Sequence, residues 1–484
     1  MGVPEGPDCT GSTVTACWRG LCGTAGLKRL PVMCAKTCAG GYPGEMGTGN
    51  LSPRKDLKAS CDWRKKGMMN EVIIEIGLFE KKTVPFINQV VYCDAILRGV
   101  AGMAKAKTGK KFEVKAQCDA ASHRSRRYRT SDEIIRGVDL FCGAGGLTRG
   151  LEDSGIDVAF GVDIDSDCEY AYRTNNKARF IHKSVDALTV SDFSKAFPGN
   201  GFTLLAGCAP CQPFSTYQRG KSDPKDERWN LLEHFGRLIK EVKPDLVSME
   251  NVPQLAKENV FAEFVHALEE EEFHVFWKVV NCADYGVPQQ RKRLVLLASK
   301  LGPINLIDPT TPEGCHVTVR DAIAGLPPLK AGEVCPKDPL HHACELSPLN
   351  LKRIRASKPG GTWRDWEKRL VADCHKKRSG KTYPSVYGRM CWDEPAPTMT
   401  TQYFGFGNGR FGHPEQDRAI SLREGAILQS FPRSYKFVAP GDPIYRKSIG
   451  RLIGNAVPVN LGKAIGKSIV KHVRQSRESK KQAA

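Results

Sequence analysis

From Glu133 onward the hydrophobic positions fall into short runs, each closed by Gly, Asp, Pro or Asn and followed by a polar stretch with helical spacing. Apolar runs bounded by turn residues predict strands, and a 3.6-residue apolar period predicts amphipathic helices. Strands are expected at Gly137–Phe141, Val158–Val162, Phe202–Ala206, Asp245–Met249, Phe276–Asn281 and Leu294–Ala298. Helices are expected near Leu147–Ser154, Arg228–Val242 and Ala262–Glu271. Strands that alternate with helices build a sheet covered on both faces, so the expected fold class over 133–300 is a doubly wound α/β fold with a mostly parallel sheet. Between Leu301 and about Glu415 the periodicity gives way to Pro, Gly, basic and aromatic residues, which predicts a smaller separate domain. Helical patterns resume at Leu422–Gln429 and Asn460–Val473, a return to the first domain over 416–473 that ends in a basic tail, 474–484.

Ahead of Glu133 the texture differs. Residues 1–102 are rich in Gly, Cys, Thr and Lys and hold one strand-like run, Glu71–Ile76, so they are expected to form a poorly structured, dispensable extension. Residues 103–132 read as a basic arm: Lys105 to Arg129 carries nine Lys or Arg against two acids. Such a segment can lie along phosphates, because each cation displaces condensed counterions.

Composition supports the same partner. The chain of 484 residues carries 72 Lys and Arg against 53 Asp and Glu, a formal charge of +19, which favours a polyanion and nucleic acid first. It has 18 cysteines but no basic-apolar leader, so they are expected to be reduced thiols in a cytoplasmic protein, at the nucleoid in a bacterium. No apolar run approaches the roughly 20 residues of a membrane span, and no membrane role is expected. Cys9, Cys17, Cys22, Cys34, Cys38 and Cys61 lack paired C-x2-C spacing, so no metal is expected there.

Candidate chemistry gathers at strand ends. "DLFCGAGG" sets Gly143, Gly145 and Gly146 between a strand and a helix, where bare backbone can meet a ligand. Glycines there could also serve only the turn. Asp163 follows Gly143 by 20 positions at the end of the next strand, placed to accept ribose hydroxyls. The loop is the shorter F-x-G-x-G-G form, which favours an adenosine-type cofactor without a pyrophosphate bridge. Cys211, in "LLAGCAPCQPFS", lies beyond a buried strand, at the sheet edge where doubly wound folds place their chemistry. It competes with three plainer readings: a core cysteine, a redox dithiol with Cys208, and half of a zinc site. No second C-x-x-C pair completes a zinc site, and Pro213 with the polar run Ser215–Asp226 suggests a loop in place of the helix that a redox pair would open. Glu250 ends another strand, while Arg291 and Arg293 enter a third; alone, each could be a cap or a surface charge.

Taken together, "DLFCGAGG", "PCQPFS", "ENV", "QQRKRL", "RAISLREGAILQSFP" and "GNAVPVNLGKAIG" closely resemble the DNA cytosine-5 methyltransferase family, over roughly Val138 to Ile469. The resemblance implies a Rossmann-like fold that uses S-adenosyl-L-methionine. Phe141, Gly143 and Gly145 would line the cofactor pocket, with Asp163 on the ribose, Ile164 beside it, and Asp186 near the adenine. Asn455 and Val457 would close it, on a C-terminal helix that returns to pack beside the first strand. Cys211 would add to C6 of a flipped-out cytosine. Glu250, protonated or sharing a proton with the base, would hold N3 and the exocyclic amine, with Arg293 and Arg291 as further catalytic residues.

Gln218 and Arg219, in the loop after the nucleophile, would fill the space the base leaves. Residues 301–415 correspond to the target-recognition domain. Thr398 and Thr400, in the "PAPTMTT" segment, would approach the DNA, and Arg423 would order that domain and count with the DNA-binding set. The partners implied are double-stranded DNA and a companion restriction endonuclease, the protein itself acting as a monomer. The alternatives are a transfer RNA cytosine-5 methyltransferase of the same fold and a catalytically silent DNA-binding protein; the long middle domain disfavours the first, and intact motifs the second.

Overall fold

The computed structural model describes residues 59–66, 69–76, 82–85, 134–197, 199, 201–210 and 230–483. Contacts divide the chain into two units, between Arg126 and Arg127. In the first, β1 (Ala59–Lys66), β2 (Met69–Ile76) and β3 (Lys82–Pro85) form an antiparallel sheet in sequence order. The run Glu71–Ile76 lies in β2; β1 carries Arg64, Lys65 and Lys66 at its end and β3 has four residues, so neither shows a strand pattern in sequence. Of the strands of this small sheet, only the one over Glu71–Ile76 was expected from the sequence. The basic arm, 103–132, lies outside the described residues.

The second unit is built on a seven-stranded sheet. Its strands are β4 (Ile135–Leu140), β5 (Asp157–Asp163), β6 (Arg179–His182), β7 (Phe202–Gly207), β8 (Leu246–Asn251), β9 (His274–Asn281) and β11 (Lys292–Ser299), in the order β6-β5-β4-β7-β8-β11-β9. A two-residue strand, β10 (Gln289–Gln290), precedes β11 and pairs elsewhere. The pairs among β6, β5, β4, β7 and β8 are parallel. Only β11 runs antiparallel to its neighbours, β8 and β9. A parallel partner needs a crossover of a dozen or more residues, and the connection 282–291 is too short for one.

Helices cover both faces. Besides a short helix at Asp373–Lys376, the helices of this unit are α1 (Gly146–Asp153), α2 (Cys168–Asn175), α3 (Val190–Phe193), α4 (Asn230–Val242), α5 (Asn259–Glu270), α6 (Val319–Ile323), α7 (Pro348–Ala356), α8 (Leu422–Leu428), α9 (Arg446–Asn455) and α10 (Val459–Ala483), of which α3, α4 and α5 pack on one face of the sheet and α1 and α10 on the other. Strand residues alternate between two buried clusters. Val138, Leu140, Val162 and Leu205 pack with Phe235 of α4 and Phe264 of α5. Ile135, Val158, Leu204 and Val295 pack with Leu151 of α1 and Leu461 and Ile465 of α10. Each such side chain contributes about 1.5–3 kcal/mol through burial.

The late helix α10 reaches the start of the domain because two glycines admit its backbone. A Cβ on Gly150 would lie 2.5 Å from the Gly462 carbonyl carbon, and one on Gly146 would collide with the Val457 carbonyl oxygen.

Within 301–415 the elements are short. Beyond α6 and α7 there is a hairpin of β12 (Val334–Cys335) and β13 (Asp338–His342). Where ladders are few, side chains must satisfy the backbone. Arg389 does this at the centre, donating to the carbonyls of Ile354, Ser357, His413 and Gln416 at 2.6–3.1 Å. The segment also shares a hydrophobic cluster with the sheet domain: Val319, Ile323, Leu340 and Met399 are buried together with Ala144, Cys168 and Ala171.

Candidate active site

The glycine loop leaves β4 through left-handed backbone at Phe141, Gly143 and Gly145, with φ of 57°, 51° and 86°. That conformation is costly for a side chain with a Cβ, and the phenylalanine marks the turn as locally over-determined. Asp163, at the end of β5, fixes the loop: Oδ2 accepts from the Gly143 amide at 2.8 Å, and Oδ1 accepts from the Asp165 amide at 2.9 Å. Burial pushes the Asp163 carboxyl up, against those two bonds. Beyond Gly143 the space is open, with no atom within 4 Å of an added Cβ. Next to Asp163, Ile164 is 68% exposed, an apolar side chain presented to solvent at the loop. Asp186 is exposed, and its carboxyl is held below the ordinary range by the Ser184 hydroxyl.

The C-terminal residues arrive at the same place. Val457 is buried with its carbonyl against Gly146, and exposed Asn455 ends α9. Arg451 of α9 pairs with Asp165 and, at 3.0 Å, with Asp167, which ties that helix to the β5 loop.

The second cluster sits at the ends of β7, β8 and β11. Glu250 is 3% exposed, and its Oε1 lies 2.9 Å from Arg293 Nε. The Cys208 thiol donates to Glu250 Oε2 at 3.0 Å. Asn251 donates to the Ala209 carbonyl at 3.1 Å, so β8 holds the chain that leads towards Cys211. Cys211, Gln218 and Arg219 themselves lie outside the described residues.

Arg291 is placed differently from Arg293. It is buried, and it donates to the Met399 carbonyl through Nη1 and to the Gly454 carbonyl through Nη2, both at 3.0 Å. It thereby joins the "PAPTMTT" segment to the end of α9. Gln289 works beside it: its Oε1 accepts from the Met399 amide at 2.7 Å, and its Nε2 donates to the Leu428 carbonyl and Gln429 Oε1. Gln429 donates in turn to the Ile453 carbonyl at 2.8 Å. The pairing of β10 with β14 (Ala396–Pro397) continues this junction. Thr398 is exposed, its hydroxyl donating to the Gln290 carbonyl at 2.6 Å, and the Thr400 carbonyl packs on Gly454.

Arg423 is buried. It grips Asp338 of β13 through Nε and Nη2, at 2.6 and 3.1 Å, and donates to the Tyr435 carbonyl through Nη1. It holds the hairpin, and with its guanidinium committed to these partners it is not an exposed cation.

Residues 135–471 match the model of the C-5 cytosine-specific DNA methylase family. The chain belongs to this family. Its activity is that of a DNA cytosine-5 methyltransferase. It is similar to Type II methylase M.HgiDII of Herpetosiphon aurantiacus, 53% identical over 336 residues, 69% of this chain and 94% of the relative. It is also similar to Type II methyltransferase M.Eco47II of Escherichia coli, 32% identical over 359 residues, 71% of this chain and 80% of the relative. A solved chain described as a DNA modification methyltransferase encoded within an E. coli prophage aligns with TM-score 0.53 and 22% identity, over 70% of this chain and 99% of that one, and so shares the fold.

In this methyltransferase, Asn251, Gln289, Gln429 and Arg451 join the site without having been singled out in the sequence, and Cys208 joins it in a role not expected of it. Cys208 carried one signal, its C-x-x-C spacing, which pointed to redox or zinc; its thiol instead meets a carboxylate. Among the described residues no group of His, Cys, Asp and Glu is arranged to hold a metal, and no helix is long and apolar enough to cross a membrane.

Proposed function

We propose that this methyltransferase acts on C5 of a cytosine extruded from duplex DNA, with Cys211 as the covalent nucleophile and S-adenosylmethionine as the methyl donor. The observation that carries the reading is the buried Glu250, held between Arg293 and Cys208 where the chain leads towards Cys211.

The cofactor fits the cradle on the chemistry of its walls: an open approach to the Gly143 backbone, a carboxylate at Asp163 and an exposed apolar face at Ile164. Phe141, Gly145, Asp186, Asn455 and Val457 complete the proposed binding set. When bound, S-adenosylmethionine supplies an electrophilic methyl group.

C5 of cytosine is a poor nucleophile, so a thiolate must first add at C6. The Cys211 sulfur forms that bond, and electron density moves to C5 and towards N3. Glu250 binds the N3 and amine edge and stabilises the charge, and Arg293 keeps the carboxylate in place. After methylation the C5 proton leaves to a base, the sulfur–C6 bond breaks, and the ring regains its aromaticity. Extrusion costs a few kcal/mol, which Gln218 and Arg219 offset by filling the vacated stack.

Residues 301–415 read the target sequence, with Thr398 and Thr400 near the duplex and Arg423 as their indirect support. Residues 133–300 and 416–473 form the catalytic part, and 103–132 is a phosphate-binding arm. The Type II names of the relatives support a place in a restriction-modification system, beside an endonuclease of the same specificity. The protein acts as a monomer.

The test is tritium transfer from labelled S-adenosylmethionine to duplex DNA and to transfer RNA. Label in the duplex, located at C5, supports the reading; label in transfer RNA alone overturns it.

A further inference from the structure

We propose that Tyr435 is a positioning residue for the cofactor, holding the glycine loop in its ligand-ready shape; this rests on the reading of that loop as the S-adenosylmethionine site.

Tyr435 lies 291 positions from the loop in sequence, yet its hydroxyl donates to the Ala144 carbonyl at 2.6 Å. The same oxygen accepts from Asn176 Nδ2 at 3.3 Å. Gly145 is seated directly on this pair, since a Cβ there would collide with Asn176 Nδ2 and stand 3.1 Å from the Tyr435 hydroxyl. Thus Asp163 holds the 142–143 peptide by accepting from the Gly143 amide, and Tyr435 holds the 144–145 peptide, two along, by donating to the Ala144 carbonyl. With the peptides on either side of the Gly143–Ala144 unit anchored, and the Gly145 amide donating to the Cys142 carbonyl at 2.9 Å, the backbone facing the ligand has little freedom to lose when it arrives.

Tyr435 is itself rigid. It is 1% exposed, packed between Phe431 and Phe437 with ring centroids at 4.6 and 5.2 Å. Its own carbonyl accepts from Arg423 at 2.8 Å. The next residue is clipped to the end of α2: the Lys436 amide donates to Asn175 Oδ1 at 2.9 Å, and Asn175 Nδ2 donates back to the Lys436 carbonyl at 2.7 Å. The aromatic ring lies beneath the loop, so Tyr435 acts on the cofactor only through backbone.

The experiment is steady-state methylation by the full-length Tyr435→Phe protein, with S-adenosylmethionine varied at saturating duplex and duplex varied at saturating cofactor. The ring packing survives, while the Ala144 carbonyl loses a buried donor, so KM for S-adenosylmethionine should rise roughly tenfold. With saturating cofactor, kcat and KM for duplex should stay within about twofold, a split that loss of folded enzyme would not produce. Asp163→Ala, measured in parallel, separates the two readings. If Asp163→Ala is weakened for the cofactor and Tyr435→Phe keeps its KM, the positioning role is overturned; if both bind normally, the site reading falls as well. Should Tyr435→Phe fail to fold in a thermal melt, Asn176→Asp decides. A carboxylate there competes for the tyrosine proton and draws it from Ala144, so the same selective rise in KM is expected, and an unchanged KM overturns the proposal.

Discussion

Asp139 shows how one buried residue writes itself into the pH dependence of the whole fold. It lies in β4 below the glycine loop, its Oδ2 accepting from the Thr148 hydroxyl at 2.6 Å, and burial raises its carboxyl from the ordinary 3.8 to about 7. A raised folded value favours the protonated fold, so this contribution is present below 3.8 and is lost as pH rises through about 7. Asp139→Asn keeps the shape and removes the ionisation, so it should raise the melting temperature at pH 8 relative to wild type and change it little near pH 4. Equal shifts at both values in thermal melts would contradict this. Glu424 works in the opposite sense. Arg418, at 2.7 Å, outweighs burial and lowers its carboxyl to about 2, so its contribution is present above the ordinary 4.5 and is lost as pH falls towards 2.

At the active site, Asp163→Ala should weaken S-adenosylmethionine binding by roughly 1.5–3 kcal/mol in calorimetry, the scale of hydrogen bonds to a charged group. Unchanged affinity would remove Asp163 from the cofactor site. The residues that carry charge or a thiol were legible in sequence because their motifs are dense with unusual chemistry. Gln289 and Gln429 stood within quoted motifs but with no role of their own, and Tyr435 stood in none: an amide or a tyrosine carries no mark in sequence of the distant carbonyl it will meet, as Gln289 meets Leu428 and Tyr435 meets Ala144.

Among the elements, the long buried strands and amphipathic helices were legible because period 2 and period 3.6 differ clearly over many residues. The strand β6 has only four residues and carries Arg179 and His182 at a sheet edge, so no apolar run announces it. The direction of β11 was hidden too, since a strand's sequence does not encode its orientation, and only the short connection after β9 betrays it. The contact of α1 with α10 makes a sharp prediction at this scale. Gly150→Ala would drive a methyl group to 2.5 Å from the Gly462 carbonyl carbon, in backbone that cannot step aside. It should cost about 1–3 kcal/mol or more in urea unfolding. A midpoint equal to wild type would mean that the helices part without penalty.

Within the second unit, the segment 301–415, proposed to read the target, is joined to the rest by a few buried polar links, Arg291 to Met399 and Arg423 to Asp338 among them, and by a shared hydrophobic cluster. A swap of residues 301–415 for the matching segment of a relative should therefore move sequence preference, provided Met399 and Asp338 are matched. Bisulfite sequencing of DNA from expressing cells checks it, and an active chimera that keeps the original target would contradict it. A chain beginning at Met103 retains all the residues of the family match and should methylate DNA with comparable turnover. Loss of activity would assign β1–β3 a part in the fold of the enzyme.

The proposed role of Cys211 is that of nucleophile, acting on the base and not on the donor. It is tested most directly with Cys211→Ser, by measuring tritium transfer to duplex DNA beside calorimetric binding of S-adenosylmethionine. Transfer should be abolished, while cofactor affinity stays within about twofold of wild type. Near-normal turnover in the variant would contradict it.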